Sequence, residues 1–161
     1  MLEIIGNEII LNLVLAVVLG VCLGFERNLA GKVAGMRTFA LVSLGAALFA
    51  IVSQLVMEKS VGVINFDPLR MASQVIVGIG FLGAGLIMSR AGKVTGLTTA
   101  AGMWVAAGVG LACGFGLYLL AFLATGLTIF VFAFLWIIER DYIGDLQEKI
   151  NNKNQNQEND E

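Results

Sequence analysis

The chain has 161 residues, of which 58% are hydrophobic and 14% charged, and its formal net charge is −2. Soluble domains are usually about 45–50% apolar and about 25% charged, so this composition excludes an ordinary soluble protein. The chain also contains no histidine, which removes the commonest general base. We therefore predict an integral membrane protein that is not an enzyme.

Five apolar runs are long enough to cross a bilayer as helices, which takes about 17–25 residues each. They cover residues 9–25, 38–57, 68–88 or 72–88, 97–115 and 117–138, and the first could begin at Ile4. The fourth run is only moderately hydrophobic, and CGFG at 113–116 leaves little room for a loop outside the membrane, so a re-entrant segment is the alternative there. The predicted fold is all-α, a polytopic bundle of five transmembrane helices over residues 1–138. A short acidic cytoplasmic tail, expected to be partly disordered, follows at 139–161.

Lysine and arginine are distributed unevenly over the connections between these runs. Alternate connections carry eight on one side of the membrane and two on the other. The positive-inside rule then predicts that the N-terminus lies outside and the C-terminus in the cytoplasm. The eight are Arg27, Lys32, Arg37, Arg90, Lys93, Arg140, Lys149 and Lys153, and the two are Lys59 and Arg70.

The connection after the first run contains an acid that charge anchoring does not explain. Glu26 ends the apolar run, and Arg27 and Arg37 follow on the same side. A carboxylate at the membrane boundary needs a partner, and Arg37 is geometrically the simplest one. The alternative is a cation ligand, because Mg²⁺ prefers oxygen ligands.

The third run begins with a helix-start pattern. Asp67 is placed to act as the N-cap and Pro68 to occupy the first helical position. Ligand duty is the alternative for Asp67. Gln74 has no capping role, so we expect its side chain to form a hydrogen bond to another helix.

The segment VIVGIGFLGAG at 75–85 contains the G-x-G-x-x-G pattern of a dinucleotide-binding turn. That motif needs a preceding strand and an acidic residue about twenty positions later, and the sequence shows neither. At about 100° per residue, Gly78 and Gly85 share one helix face, and Gly80 and Gly83 lie on the opposite face. We interpret these glycines as helix-packing positions, because small residues let helices approach closely in lipid. The fourth run repeats the pattern as a ridge of Thr98, Gly102, Ala106, Gly110 and Gly114.

Three groups of residues together resemble the MgtC/SapB family of bacterial inner-membrane proteins over residues 20–138. The first group is Gly24-Phe25-Glu26-Arg27 with Ala34-Gly35-Met36-Arg37-Thr38. The second is Asp67-Pro68-Leu69-Arg70, Gln74 and GIGFLGAG at 78–85. The third is Gly96-Leu97-Thr98-Thr99-Ala100-Ala101 followed by Trp104.

The resemblance implies a five-span protein of the bacterial inner (plasma) membrane that is tied to magnesium homeostasis. It implies either a regulator that docks on membrane partners such as ATP synthase, or a direct transporter of Mg²⁺ or another cation. We favour the regulator, as a homo-oligomer (a dimer) in the lipid bilayer. We expect no nucleic-acid partner, and no cofactor besides Mg²⁺ as a transported or sensed ion. Glu26 and Asp67 are the candidate metal ligands. The candidate polar, ion or partner-site residues are Glu26, Arg27, Arg37, Asp67, Arg70, Gln74, Thr98 and Thr99.

Overall fold

The computed structural model describes residues 2–59, 67–90 and 93–138. Over these residues the chain forms five α-helices and one short β-hairpin, and all five helices are long and apolar enough to cross a membrane. This confirms the predicted all-α membrane fold. The elements are α1 Leu2–Leu29, α2 Met36–Lys59, α3 Pro68–Leu86, β1 Met88–Arg90, β2 Lys93–Thr95, α4 Leu97–Gly114 and α5 Tyr118–Ile138.

The helix ends differ modestly from the apolar runs. Helix α1 has 28 residues and is therefore about 42 Å long, more than the roughly 30 Å of a hydrocarbon core. It continues past the apolar run at both ends, so the helix includes Glu26 and Arg27. Helix α4 is one uninterrupted helix of 18 residues. It is long enough to span the bilayer, so no re-entrant break is needed.

Contacts at glycine positions give the relative directions of the helices. Gly20 and Gly24 of α1 approach Ala40 and Met36 of α2, so α1 and α2 run antiparallel. Gly110 and Gly114 of α4 approach Ser43 and Ala47 of α2, so α2 and α4 run parallel. Gly83 of α3 faces Ala100 of α4, and these two helices are antiparallel. The four helices therefore alternate in direction along the chain, as successive membrane crossings do.

The core lies where α4 meets α2, with α1 on one side of this pair and α3 on the other. Three of its five residues are alanine: Ala46, Ala50 and Ala107 are almost completely buried together with Ile79 and Leu111. Small side chains allow the helix backbones to approach closely. In lipid the hydrophobic effect does not hold helices together, so this close packing does. The centre of the unit is therefore an alanine–glycine contact between helices.

A two-stranded antiparallel hairpin joins α3 to α4 and was not expected from the sequence. Ser89 pairs with Val94, and the Thr95 hydroxyl donates a hydrogen bond of 3.3 Å to the carbonyl oxygen of Met88. Gly96, which follows, has φ +90° and lies against the end of α3. Only glycine adopts this conformation readily, so Gly96 fixes the turn into α4.

Residues Met1–Thr128 form one compact unit, and a second unit begins at Ile129 within α5. In the second unit the rings of Phe130 and Phe134 stack with centroids 5.0 Å apart. The tail predicted to be partly disordered, 139–161, lies outside the described residues.

Candidate functional site

The acid at the end of α1 pairs with its neighbour in the sequence. The Nε–H of Arg27 donates to the Glu26 carboxylate, and Arg27 is only 3% exposed. The prediction that Arg37 is the partner of Glu26 was wrong. Neighbouring helical residues usually point apart, which is why the sequence did not suggest this pair. The carboxylate offsets the charge of a guanidinium that is buried at the bundle end.

Arg37 lies in the first turn of α2 and is exposed. Together with Thr38 it lines one end of a groove of about 770 Å³ between α2 and α3. The remaining lining is apolar or glycine except for Gln74. Arg37 is therefore a cation at the mouth of an otherwise apolar groove.

Asp67 caps α3, in agreement with the Asp-Pro pattern. Its side chain accepts a hydrogen bond of 2.9 Å from the backbone N–H of Leu69. Arg70 in the first turn is exposed. Gln74 is also exposed and lines the groove, and it makes no hydrogen bond to another helix within the described ranges. The predicted hydrogen bond of Gln74 to another helix is therefore not found within the described part of the chain, where this face of α3 lines the open groove.

A different glutamine makes the interhelical hydrogen bond. The Nε2 of Gln54 in α2 donates to the carbonyl oxygen of Gly114 at 3.4 Å. Asn12 of α1 lines the same small cavity as Gln54, and its Oδ1 accepts a hydrogen bond of 2.6 Å from the hydroxyl of Tyr118 at the start of α5. Sequence reasoning did not single out Gln54. The signal available was a single amide within an apolar run, and Gln74 gave the same signal.

The two threonines at the start of α4 differ in environment. Thr99 is 4% exposed, whereas Thr98 is exposed. Further along α4, Gly102, Ala106 and Gly110 are buried. A Cβ on Gly110 would lie 2.8 Å from the Cα of Ser43 and still closer to its carbonyl oxygen. Gly110 therefore belongs to the packed contact between α4 and α2.

The glycines of α3 have a different environment. A Cβ on Gly83 would meet the Cβ of Ala100 at 3.6 Å, an ordinary packing distance. A Cβ on Gly78, Gly80 or Gly85 would meet nothing within 4 Å. Among the described residues, these three glycines are therefore not packed against another helix of the chain. Packing against another molecule remains a prediction.

A small polar cavity of about 120 Å³ lies between α1 and α2, near the Tyr118–Asn12 hydrogen bond. Its lining includes two carboxylates and two amides, from Glu8, Glu58, Asn12 and Gln54. Oxygen atoms of these types are the ligands that hard cations prefer.

The predicted site residues do not form one cluster. Glu26 lies at the end of α1, near the start of α2, and Asp67 lies at the start of α3. Because α1 and α3 run in the same direction, these two residues are at opposite ends of the bundle. Within the described ranges no three of the His, Cys, Asp and Glu side chains are grouped closely enough to hold a metal ion. Glu26 and Asp67 therefore do not share one site, and each stays a separate predicted metal ligand.

Comparison with known proteins places these features in context. The model of the MgtC family matches residues 13–141. The chain is 42% identical over 126 residues to the Escherichia coli K12 protein named "Putative magnesium transporter YhiD", covering 77% of this chain and 59% of that protein. It is 46% identical over 95 residues to Protein MgtC of Salmonella typhimurium LT2, covering 59% of this chain and 38% of that protein.

The chain thus spans less than two thirds of the length of these relatives. No solved structure matches it.

Proposed function

Because this chain belongs to the MgtC family, we propose that it is a magnesium-related, non-enzymatic regulator that docks on another membrane protein. The names of two relatives motivate the link to magnesium: one is named a magnesium transporter and the other Protein MgtC. We place it in a bacterial inner membrane as a multi-pass protein. The positive-inside rule puts its N-terminus outside.

The closed interior of the bundle is the observation that carries this proposal. Backbone contacts at Gly20, Gly110 and Gly114 bring α1 and α4 against α2. Within the described ranges, the buried polar side chains other than Arg27 are hydroxyls, those of Ser43, Ser53, Thr99 and Thr125. An ion that crosses this interior loses its hydration water, and no fully buried carboxylate or amide among the described residues replaces that water. The transfer of the ion therefore costs much free energy. A binding role is therefore favoured over conduction through the bundle.

Helix α3 supplies a surface for docking. Its side turned away from the groove carries the exposed residues Ser73, Val77, Gly80 and Ala84, spaced four, three and four apart. This spacing places them on one helix face. Small residues on a membrane helix allow a second helix to approach closely. We propose that this face, the outer face of α3, binds a transmembrane helix of a partner or of a second copy of the chain.

Site-specific photo-crosslinking in native membranes tests the docking. A crosslinker at Val77, which is 68% exposed, should capture a membrane protein, whereas one at Leu119 of α5, 74% exposed, should capture lipid. Gly80→Leu should abolish the capture. Gly108→Leu is the matched control, because a Cβ at Gly108 also meets nothing within 4 Å. Capture of lipid alone at Val77 would refute docking through this face.

Direct cation transport is the second candidate, and the cavity at Glu8 and Glu58 favours it. Two carboxylates and two amides line a space large enough for water molecules, which suits a partly hydrated Mg²⁺. The test is Mg²⁺ flux into proteoliposomes that contain the purified protein. Flux that disappears in Glu8→Gln/Glu58→Gln, but persists in Glu26→Gln/Asp67→Asn, would establish transport through this cavity. No flux from folded protein would exclude it.

A further inference from the structure

The groove between α2 and α3 has a shape and a charge pattern that fit a membrane lipid. It has a volume of about 770 Å³ and is floored by Met103 of α4. Its lining is apolar or glycine except for Arg37, Thr38 and Gln74, and Arg37 is its one charged side chain. We propose that it is a specific binding site for one anionic phospholipid, with the phosphate at Arg37 and an acyl chain along the groove.

Arg37 provides the charge complementarity. Within the described ranges it has no ion pair, since Glu26 is bound to Arg27. The guanidinium presents a planar set of N–H donors that matches a phosphate group. Thr38 adds a hydroxyl donor beside it, and the first turn of α2 adds the positive end of the helix dipole. Basic positions between transmembrane helices at the membrane boundary are where anionic head groups bind.

The length of the groove matches a lipid of one leaflet. Arg37 and Phe49 both line it and are twelve residues apart on α2, which corresponds to about 18 Å along the helix. One leaflet contributes about 15 Å, half of a hydrocarbon core of about 30 Å. An acyl chain whose head group sits at Arg37 therefore ends before Phe49. Gln74 lies at the Phe49 end, beyond the reach of the head group.

A flexible acyl chain can follow the mostly apolar lining of the groove from Arg37 towards Phe49. The outer face of α3, by contrast, is convex and suits a helix, so the two surfaces of α3 take different ligands.

Native mass spectrometry of the detergent-purified full chain tests the site. Phosphatidylglycerol and phosphatidylcholine are each titrated, and the dissociation constant of the first bound lipid is measured. The wild type should prefer phosphatidylglycerol by about five-fold, the effect expected of one basic residue at a lipid head group. Arg37→Gln should remove the preference. Arg70→Gln, an exposed arginine outside the groove, should retain it.

A groove-filling variant tests the acyl-chain part. Gly45 lines the groove, and a Cβ there meets nothing within 4 Å, so Gly45→Leu fills the space without a clash at its Cβ. It should weaken the first binding of both lipids. Gln74→Leu should leave the head-group preference unchanged. A preference that survives Arg37→Gln, or first binding that is unaffected by Gly45→Leu, would overturn the proposal. Loss of a protein dimer in Gly45→Leu with lipid binding intact would assign the groove to a second copy instead.

Discussion

Glycine serves opposite purposes in α4 and α3. In α4, Gly110 and Gly114 lie against the backbone of α2, where there is no room for a Cβ. In α3, Gly78, Gly80 and Gly85 face open space. The two helices carry similar small-residue patterns, but only α4 uses most of its pattern within the chain. A small-residue face thus shows that close approach is allowed, and the fold decides whether a partner is present.

The same contrast appears in burial. In the apolar window of α4, 67% of the residues are buried, compared with 11% in α3. In water such an exposed apolar helix would be strongly unfavourable, but lipid is as apolar as its side chains. Helix α3 can therefore remain at the periphery with few contacts. We expect the stability of the bundle to depend on α1, α2 and α4, and its interactions to depend on α3.

The largest expected effect on stability is at the contact between α4 and α2. Gly110→Ala places a methyl group against the backbone of Ser43, which cannot move aside as a flexible side chain would. We expect the free energy of unfolding to fall by about 3 kcal/mol, the upper end of typical overpacking costs. Unfolding by SDS in mixed micelles, followed by circular dichroism, measures it. Gly108→Ala on the same helix is the control, because its Cβ has free space.

A smaller effect on stability is expected at the turn that joins α3 to α4. Gly96→Ala must hold alanine at φ +90°, and its Cβ would lie 2.9 Å from the carbonyl carbon of Leu86. The left-handed conformation alone costs about 1–2 kcal/mol. Because Gly96 lies in a connecting turn, which can shift away from Leu86 more easily than two packed helices can separate, we expect a total loss of about 2 kcal/mol in the same assay. Gly116→Ala, also at positive φ but with no atom within 4 Å of its Cβ, separates conformation from contact. An equal loss in both variants would show that the contact with α3 contributes nothing.

At the start of α3 the expected loss is about 1 kcal/mol. Asp67→Ala removes the acceptor for the Leu69 N–H, and such cap losses average near this value. Asp67→Asn should be close to neutral, because asparagine caps as well as aspartate. If both variants lost equal stability, the charge of Asp67 rather than its cap would be the important property.

The smallest effect on stability is expected on the outer face of α3. Gly80→Ala meets no atom within 4 Å, and alanine favours the helix by up to about 1 kcal/mol over glycine. Stability in micelles should therefore be unchanged or slightly higher. Crosslinking from Val77 should nevertheless decrease, because the added methyl group holds a partner helix away. A decrease in stability at Gly80 would mean that α3 is more closely packed than its open face suggests.

The helices could be predicted from the sequence because their signals are local. Run length and hydrophobicity gave the five spans, and Asp67-Pro68 gave the start of α3. The tertiary partners could not be predicted, because they depend on which helix lies beside which face. Gln54 and Gln74 carry the same local signal, yet only Gln54 finds a backbone carbonyl on α4.

The pairing of Glu26 shows the same limit at closer range. Spacing made Arg37, at the start of the next helix, the simplest partner. The Arg27 side chain instead pairs with the adjacent Glu26 and is buried. This pairing depends on the surrounding packing. The hairpin at 88–95 was missed because its strands have only three residues each, too few to show an alternating pattern.

The parallel contact between α2 and α4 has a consequence for the order of assembly. Ser43 and Gly110 touch across this contact, yet all of α3 separates them along the chain. During synthesis α2 therefore enters the membrane before the helix that covers it has been made. A nascent chain with three inserted helices still presents the Ser43 side of α2 to its surroundings. The core is completed only when α4 inserts beside α2, so a ribosome stalled before Gly114 leaves an unfinished core.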